Sequence, residues 1–378
     1  MQHRKRTGID ELWDMTCSRL RIGPSPDSRA VFEYLLTQYS NPDRHYHTMN
    51  HAVFCVRTAF FFFDSFEHPY EAIMALWFHD VIYDTHKTHG YNEHASAAVA
   101  QSLLKKLGLP EDRIEIIYKY ILATQHSYEP EDHDCALVMD ADLAQITAEN
   151  PERTASRIRL EYSWVPRHSY VPERKKILKN LLGRDHFFNT EEFRNTSMEH
   201  RQIPELTLEE VARKNIISEI QLLGAKVIVG GTFDLFHEGH KRLIKESFRV
   251  SSKHHGGAVT IGVTSEEMAS KKSHPVQPYE VRVNQISDYI KSHLMTRNTY
   301  YGNQWKIVPL NDPVGDAGTG DYDILVASKE TREGALKVNE IRAANRLPKL
   351  ILDIIPPILD KSGQWISSTR LRREEELS

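Results

Sequence analysis

The chain has 378 residues, 40% of them hydrophobic and 26% charged, with 18 glycines and 17 prolines. That length suits two domains better than one, and the composition excludes collagen-like, mucin-like and wholly disordered chains. A net charge of −4, three scattered cysteines, no apolar run of bilayer length and no leader-like start predict a cytoplasmic protein without disulfides, membrane segment or nucleic-acid stripe.

In chain order, apolar residues recur at three and four over residues 28–39, 51–63, 70–78, 92–107, 110–123, 174–182 and 208–223, which predicts helix after helix. Gly108-Leu109-Pro110 stops one helix and starts the next. Gly224 reads as a helix C-cap and a junction, giving domains 1–223 and 224–378. Beyond it the pattern changes. Residues 226–229, 258–263, 324–327 and 350–355 are short β-branched runs, separated by helical stretches at 239–253, 279–293 and 333–345. The expected fold class is therefore multidomain: an all-α domain, then an α/β Rossmann-like domain whose parallel sheet binds ligands at the carboxyl ends of its strands. The first 223 residues carry 26 Lys and Arg against 33 Asp and Glu, and the remainder 22 against 19. The second half is thus the better suited to anions.

His79-Asp80 closes the apolar stretch 72–78, and a charge in such surroundings must be paired or bound to metal. Arg44-His45-Tyr46-His47, with His51 one turn on, and Asp140-Ala141-Asp142-Leu143 supply partners. Histidine with carboxylate suits six-coordinate Mn²⁺, Fe²⁺, Co²⁺ or Mg²⁺ better than a thiolate zinc site. His133-Asp134, in an acidic stretch, is set aside. The order His, His-Asp, Asp resembles the HD-domain metal-dependent phosphohydrolases. Arg-His-Tyr-His at 44–47, Asn-Glu-His-Ala-Ser-Ala at 92–97, Asp-Ala-Asp-Leu at 140–143, Arg-Leu-Glu-Tyr at 159–162 and Asn-Ile-Ile-Ser-Glu at 215–219 extend the likeness over residues 29–223. The resemblance implies His51, His79, Asp80 and Asp142 as metal ligands, with Asp140 behind them and exchangeable with Asp142. It also implies that Glu93 orients the attacking water. Arg44 and Arg159 would bind phosphate, in a phosphorylated small molecule or nucleotide.

Val229-Gly230-Gly231-Thr232-Phe233-Asp234 follows the first predicted strand and runs into His237-Glu238-Gly239-His240 at a predicted helix start. The glycines allow close ligand approach, the two histidines share a face, and the helix start adds N–H groups suited to a polyphosphate. Near the end, Ser367, Ser368 and Thr369 precede Arg372, a second arrangement suited to phosphate. Pro278-Tyr279-Glu280-Val281-Arg282, the acidic glycine-rich loop 312–323, Ser328-Lys329-Glu330-Thr331, and Asn339 with Arg342 complete the set. Residues 226–373 resemble the archaeal and eukaryotic phosphopantetheine adenylyltransferases of the nucleotidyltransferase superfamily named for its His-x-Gly-His motif, with Phe236 where leucine is usual. That resemblance implies AMP transfer from ATP, with Mg²⁺, to 4′-phosphopantetheine, giving dephospho-coenzyme A and pyrophosphate. His237, His240, Arg372 and one of Lys271 and Lys272 would serve the triphosphate and transition state. Gly230, Gly231, Thr232, Phe233, Asp234, Arg282, Ser328, Glu330, Thr331, Asn339, Arg342, Ser367, Ser368 and Thr369 would line the binding site. The alternative is transfer to another phosphorylated acceptor such as FMN, with the helical half a nucleotide-sensing module. No Walker loop or Gly-x-Gly-x-x-Gly fingerprint is present, against a kinase or dehydrogenase. Oligomeric state is left open.

Overall fold

The computed structural model describes residues 8–127, 129–148, 150–197, 206–251, 257–295, 304–356 and 372. It divides into two units, Met1–Tyr170 with Arg184–Ile216, and Val171–Gly183 with Ile217–Ser378. Among the described residues no helix is long and apolar enough to cross a membrane.

The first unit is helical. It runs α1 (Gly8–Arg19), α2 (Pro26–Tyr39), α3 (Met49–Phe61), α4 (Pro69–Phe78), α5 (Tyr91–Lys106), α6 (Glu111–Ala123), α7 (His133–Leu143), α8 (Gln145–Ala148), α9 (Pro151–Glu161), the start of α10 (Arg167–Gly183), α11 (Glu191–Asn195) and the start of α12 (Leu208–Leu222). At the centre lies α4, packed against α1, α3, α5, α6 and α7, with every residue from Glu71 to Asp80 buried. Each fully buried Ile, Leu or Phe there contributes roughly 1.5–3 kcal/mol. The helix has no side-chain cap of its own. Asp134, at the start of α7, instead accepts from the Glu67 and His68 amides at 2.9 and 2.8 Å and from the Tyr120 hydroxyl at 2.8 Å. A carboxylate so placed pins the segment that enters α4 and lies near the positive end of its dipole, and so fixes the helix whose far end carries His79 and Asp80. Helix α7 lacks the amphipathic period because it is buried on nearly every side.

The second unit is a five-stranded, wholly parallel sheet of order β3-β2-β1-β4-β5. Its strands are β1 (Lys226–Gly231), β2 (Ala258–Thr264), β3 (Gln304–Leu310), β4 (Ile324–Ser328) and β5 (Ile351–Ile355). Helix α13 (Glu238–Ser251) follows β1, α14 (Glu266–Ser270) and α15 (Tyr279–Tyr289) follow β2, and α16 (Arg332–Ala344) follows β4. The strand order reverses between β1 and β4, the crevice where such sheets bind ligands. The unforeseen strand is β3, an edge strand containing Pro309, which weakens the sequence signal and is tolerated only at a sheet edge.

The junction differs from a simple cut at Gly224. Residues 171–183 and 217–223 belong to the second unit. Lys175 Nζ donates to Asp323 Oδ2 at 2.9 Å and to the Gly224 carbonyl at 2.6 Å. Lys179 pairs with the other Asp323 oxygen, and Arg174 forms a two-point pair with Glu219 at 2.7 and 3.1 Å. Asp323 is almost wholly buried, and the two ammonium groups together with the Lys226 amide at 2.8 Å are what make that burial tolerable. Burial favours its neutral acid, but Lys175 and Lys179 outweigh that and hold its pKa below the usual range.

Candidate functional sites

Three helices of the first unit bring a cluster together. His51 lies in the first turn of α3, His79 caps the end of α4 with Asp80 next to it, and Asp142 lies in the last turn of α7. His79 Nε2 is 3.2 Å from His51 Nε2 and 3.2 Å from Asp80 Oδ2. Asp142 Oδ1 is 3.0 Å from His51 Nε2 and 3.4 Å from His79 Nε2. Ligands about 2.1 Å from one ion lie about 3.0 Å apart in an octahedron and about 3.4 Å apart in a tetrahedron. The donor set therefore fits a divalent cation.

The ring orientations agree with that fit. His79 Nδ1 donates to the Leu76 carbonyl at 2.9 Å, and His51 Nδ1 is held by Gln145 Oε1. Both Nδ1 protons are thereby fixed, and both Nε2 lone pairs face the same point. Burial alone would lower the His79 pKa, but the negative charges of Asp80 and Asp142 raise it well above the ordinary imidazole value, the sign of surroundings that favour a positive charge. Burial favours the neutral acid at Asp142, yet hydrogen bonds from His126, His51 and His79 hold it well below the usual carboxylate range. Cys55 is also close, with Sγ 3.7 Å from both ring nitrogens of His51. Its sulfur and the ligand atoms of His51, His79 and Asp142 all lie within 4.8 Å of one another, so Cys55 borders the same cluster.

Of the two aspartates on α7, Asp142 joins the cluster. Asp140 accepts from the Asn189 amide and side chain and the Thr190 amide and hydroxyl, at 2.8–2.9 Å, and burial pushes its pKa up to about 6. Glu93 leaves Oε2 buried without a partner, and burial, with the charges of Asp80 and Asp142, raises its pKa.

The surrounding motifs are scaffolding for the turn that carries His79 and Asp80. Asn92 and Ser96, one turn apart on α5, hold the Asp84 amide at 2.9 Å and the Ile82 amide at 3.0 Å. Arg44, expected to bind phosphate, is buried and donates to the Asp80 carbonyl at 2.6 Å and the Val81 carbonyl at 2.9 Å. Arg159 likewise donates to the carbonyls of Tyr162 and Val165. Both guanidiniums are thus engaged by backbone rather than held open for a ligand. Sequence reasoning gave Glu161 no role, although it sits inside the Arg-Leu-Glu-Tyr motif. One oxygen accepts from the amides of His45, Tyr46 and His47 at 2.7–2.9 Å, and the other meets His47 Nδ1 at 2.7 Å. Despite burial, that set brings its pKa down to about 2.

In the second unit the crevice between β1 and β4 opens on a cavity of about 320 Å³ lined by Gly230, Gly231, Thr232, Thr331 and Gly334 among others. A Cβ at Gly230 would lie 3.2 Å from the Leu310 side chain, and one at Gly231 3.1 Å from the Phe233 ring. A Cβ at either position would be tight against its neighbour, which would have to shift by a few tenths of an ångström to admit it. Phe233 and Leu235 flank Asp234 with φ of 56° and 50°, a strained turn. His237 and His240 stack with ring centroids 3.8 Å apart. His237 Nδ1 accepts from the Gly239 amide at 3.1 Å, so its neutral ring carries the proton on Nε2. Burial lowers the pKa of both rings, and with the charges of His237 and Lys272 added, that of His240 falls to about 3. Both lysines are exposed, but Lys272 Nζ is 2.5 Å from Thr232 Oγ1, whereas Lys271 pairs with Glu267 at 3.0 Å. Burial and the Arg282 charge lower the Lys272 pKa.

Several residues expected to line the binding site hold it together instead. Phe233 is fully buried. Asp234 accepts from the Gln277 amide at 2.9 Å and pairs with Arg372, so Arg372 reaches the motif loop itself. Arg282, with no exposed surface, joins the carbonyls of Thr232 and Thr264 at 3.0 and 2.8 Å. Asn339 pairs with both backbone groups of Leu350, and Arg342 holds the carbonyls of Ala317, Gly320 and Pro348. Each is anchored to backbone groups, although Arg282 keeps Nη2 buried without a hydrogen-bond partner among the described residues. Ser328 and Thr331 form a reciprocal cap at the approach to α16, and Glu330 is exposed beside them. Ser367, Ser368 and Thr369 lie outside the described residues.

The sequence profile of the Cytidylyltransferase-like family matches residues 228–374. A phosphopantetheine adenylyltransferase of Methanosarcina barkeri is 41% identical over 150 residues, 40% of this chain and 88% of its own. One from Methanothermobacter thermautotrophicus is 37% identical over 150 residues, 39% of this chain and 84% of its own. A bifunctional phosphopantetheine adenylyltransferase/NTP phosphatase of Thermoplasma volcanium is 37% identical over 146 residues, covering 38% of this chain but only 40% of its own length. Through its second unit, the chain belongs to the phosphopantetheine adenylyltransferase family.

Proposed function

We propose that the chain is a two-activity enzyme whose second unit transfers AMP from ATP to 4′-phosphopantetheine, releasing pyrophosphate and leaving dephospho-coenzyme A. The observation that carries this reading, in a chain of this family, is the cation Lys272 beside Thr232 and two neutral imidazoles at the switch point of the sheet. The acceptor phosphate is an anionic nucleophile already, so in-line attack on the α-phosphorus needs no general base. His237 and His240 donate to phosphate oxygens, and Lys272 neutralises the charge that grows as the bond to pyrophosphate breaks. Mg²⁺ arriving with ATP adds further neutralisation. The test is pyrophosphate release with ATP and Mg²⁺, with and without 4′-phosphopantetheine. Release without dependence on that acceptor would overturn the assignment of substrate.

For the first unit we propose an HD-type, divalent-metal phosphohydrolase, held on His51, His79, Asp80 and Asp142. The supporting observation is the convergence of two Nε2 atoms and two carboxylates at ligand spacing. A cation there supplies Lewis acidity toward a phosphoryl oxygen and a lowered pKa for water. Glu93, with its raised pKa and unpartnered Oε2, takes the proton of the attacking water. Phosphate release from phosphorylated small molecules and nucleotides, with Mn²⁺ and after chelation, tests this reading. Ligand binding without turnover would make the unit a sensor instead.

A further inference from the structure

Resting on the metal-centre reading above, we infer that His126 is a positioning residue that holds Asp142 to one-oxygen coordination and so keeps the remaining positions open. Asp142 divides its two oxygens. Oδ1 faces His51 and His79, while Oδ2 is 2.8 Å from His126 Nε2. An ionised carboxylate only accepts, so His126 Nε2 carries the proton and donates. With Oδ2 so engaged, the carboxylate cannot swing to offer both oxygens to a cation at the Nε2 pair.

His126 is also placed at a cost. It follows α6 in a turn with φ of 56°, the left-handed region that residues other than glycine seldom adopt, histidine and asparagine being among the more tolerant. Its carbonyl is held by Arg184 at 3.4 Å, and its Nδ1 is buried without a partner among the described residues. Asparagine or glycine would suit this backbone at least as well. A histidine in their place makes one contact that neither could make, the reach to Asp142 Oδ2.

The strain supplies a test that separates positioning from folding. His126→Asn suits the backbone but is too short to reach Asp142, whereas His126→Gln restores an N–H donor at about the reach of Nε2. The metal-stripped full-length protein and both variants are titrated with Mn²⁺ by calorimetry, with a His51→Ala variant as the baseline for other binding. Thermal unfolding of the metal-free proteins is read alongside. Expected are Mn²⁺ binding weakened about 10–100-fold in His126→Asn, with no loss of metal-free Tm, and recovery to near the parent affinity in His126→Gln. Parent-like affinity in His126→Asn, or equal weakening in both variants, overturns the role of His126 alone. If the parent binds no more Mn²⁺ than His51→Ala does, the metal centre itself fails and the inference falls with it.

Discussion

In the helical unit His51 and His79 meet nitrogen to nitrogen at 3.2 Å among carboxylates, whereas in the sheet unit His237 and His240 stack face to face at 3.8 Å beside a lysine. The neighbours set the outcome. Asp80 and Asp142 overcome burial and drive His79 toward the charged form, while burial and Lys272 drive His240 toward the neutral one. One pair lies among negative charges and the other beside a positive one. Counting histidines could not separate them; the sign of the surrounding charge does.

The sharpest way to break the contrast is to remove one pair and measure the chemistry of the other. His51→Ala should abolish metal-dependent phosphate release yet leave AMP transfer within about threefold, since the two sites share no residue or partner among the contacts described and such sites act nearly independently. A large loss of both would show that the two pairs are not separate centres. Next in size, Lys272→Ala should lower the kcat of AMP transfer by about 10²–10³-fold, as expected for removing a group aimed at developing charge. Unchanged kcat there would remove the lysine from the anion site.

Acid should act on the sheet unit through His240. Its folded pKa of about 3 lies below the ordinary imidazole value of 6.5, so below that value the unfolded state binds the extra proton. The contribution to stability is therefore complete above about pH 6.5 and is lost as pH falls toward 3. Chemical denaturation across that range should show the slope, and His240→Gln should flatten it. The smallest effect belongs to Lys271, whose exposed pair with Glu267 is worth about 0–1 kcal/mol. Lys271→Ala should change transfer little beside Lys272→Ala, and an equal effect would erase the distinction between them.

What sequence made legible was periodicity and chemistry-bearing spacing. Repeats at three and four exposed α3 to α6, and His79-Asp80 stood out because a charge closes an apolar run. The choice between Asp140 and Asp142 was not legible, since both lie near the end of α7 and differ only in which way they face: one to Asn189 and Thr190, the other to the histidines. Arg44, Arg282, Asn339 and Arg342 looked like ligand-binding residues because sequence shows a charge or an amide but not the carbonyl it meets. Their fixity comes from those backbone contacts, which arise only once distant segments are assembled. His126 could be weighed beside Glu93 and Arg159 in the sequence, but its role was hidden for the same reason: neither its left-handed backbone nor its carboxylate partner leaves a pattern in the chain.

The buried lysines on α10 carry a consequence for synthesis. Lys175 and Asp323 are 148 residues apart in the chain, and residues 171–183 emerge well before the strands they serve. During translation that segment must wait, its ammonium groups hydrated, while the rest of the helical unit is completed by residues 184–216. Only after β4 has been made can Asp323 receive it. A gene fragment starting at Gly224 would therefore yield a sheet whose buried aspartate has lost both cations, and co-expressing residues 167–183 as a separate peptide should restore it.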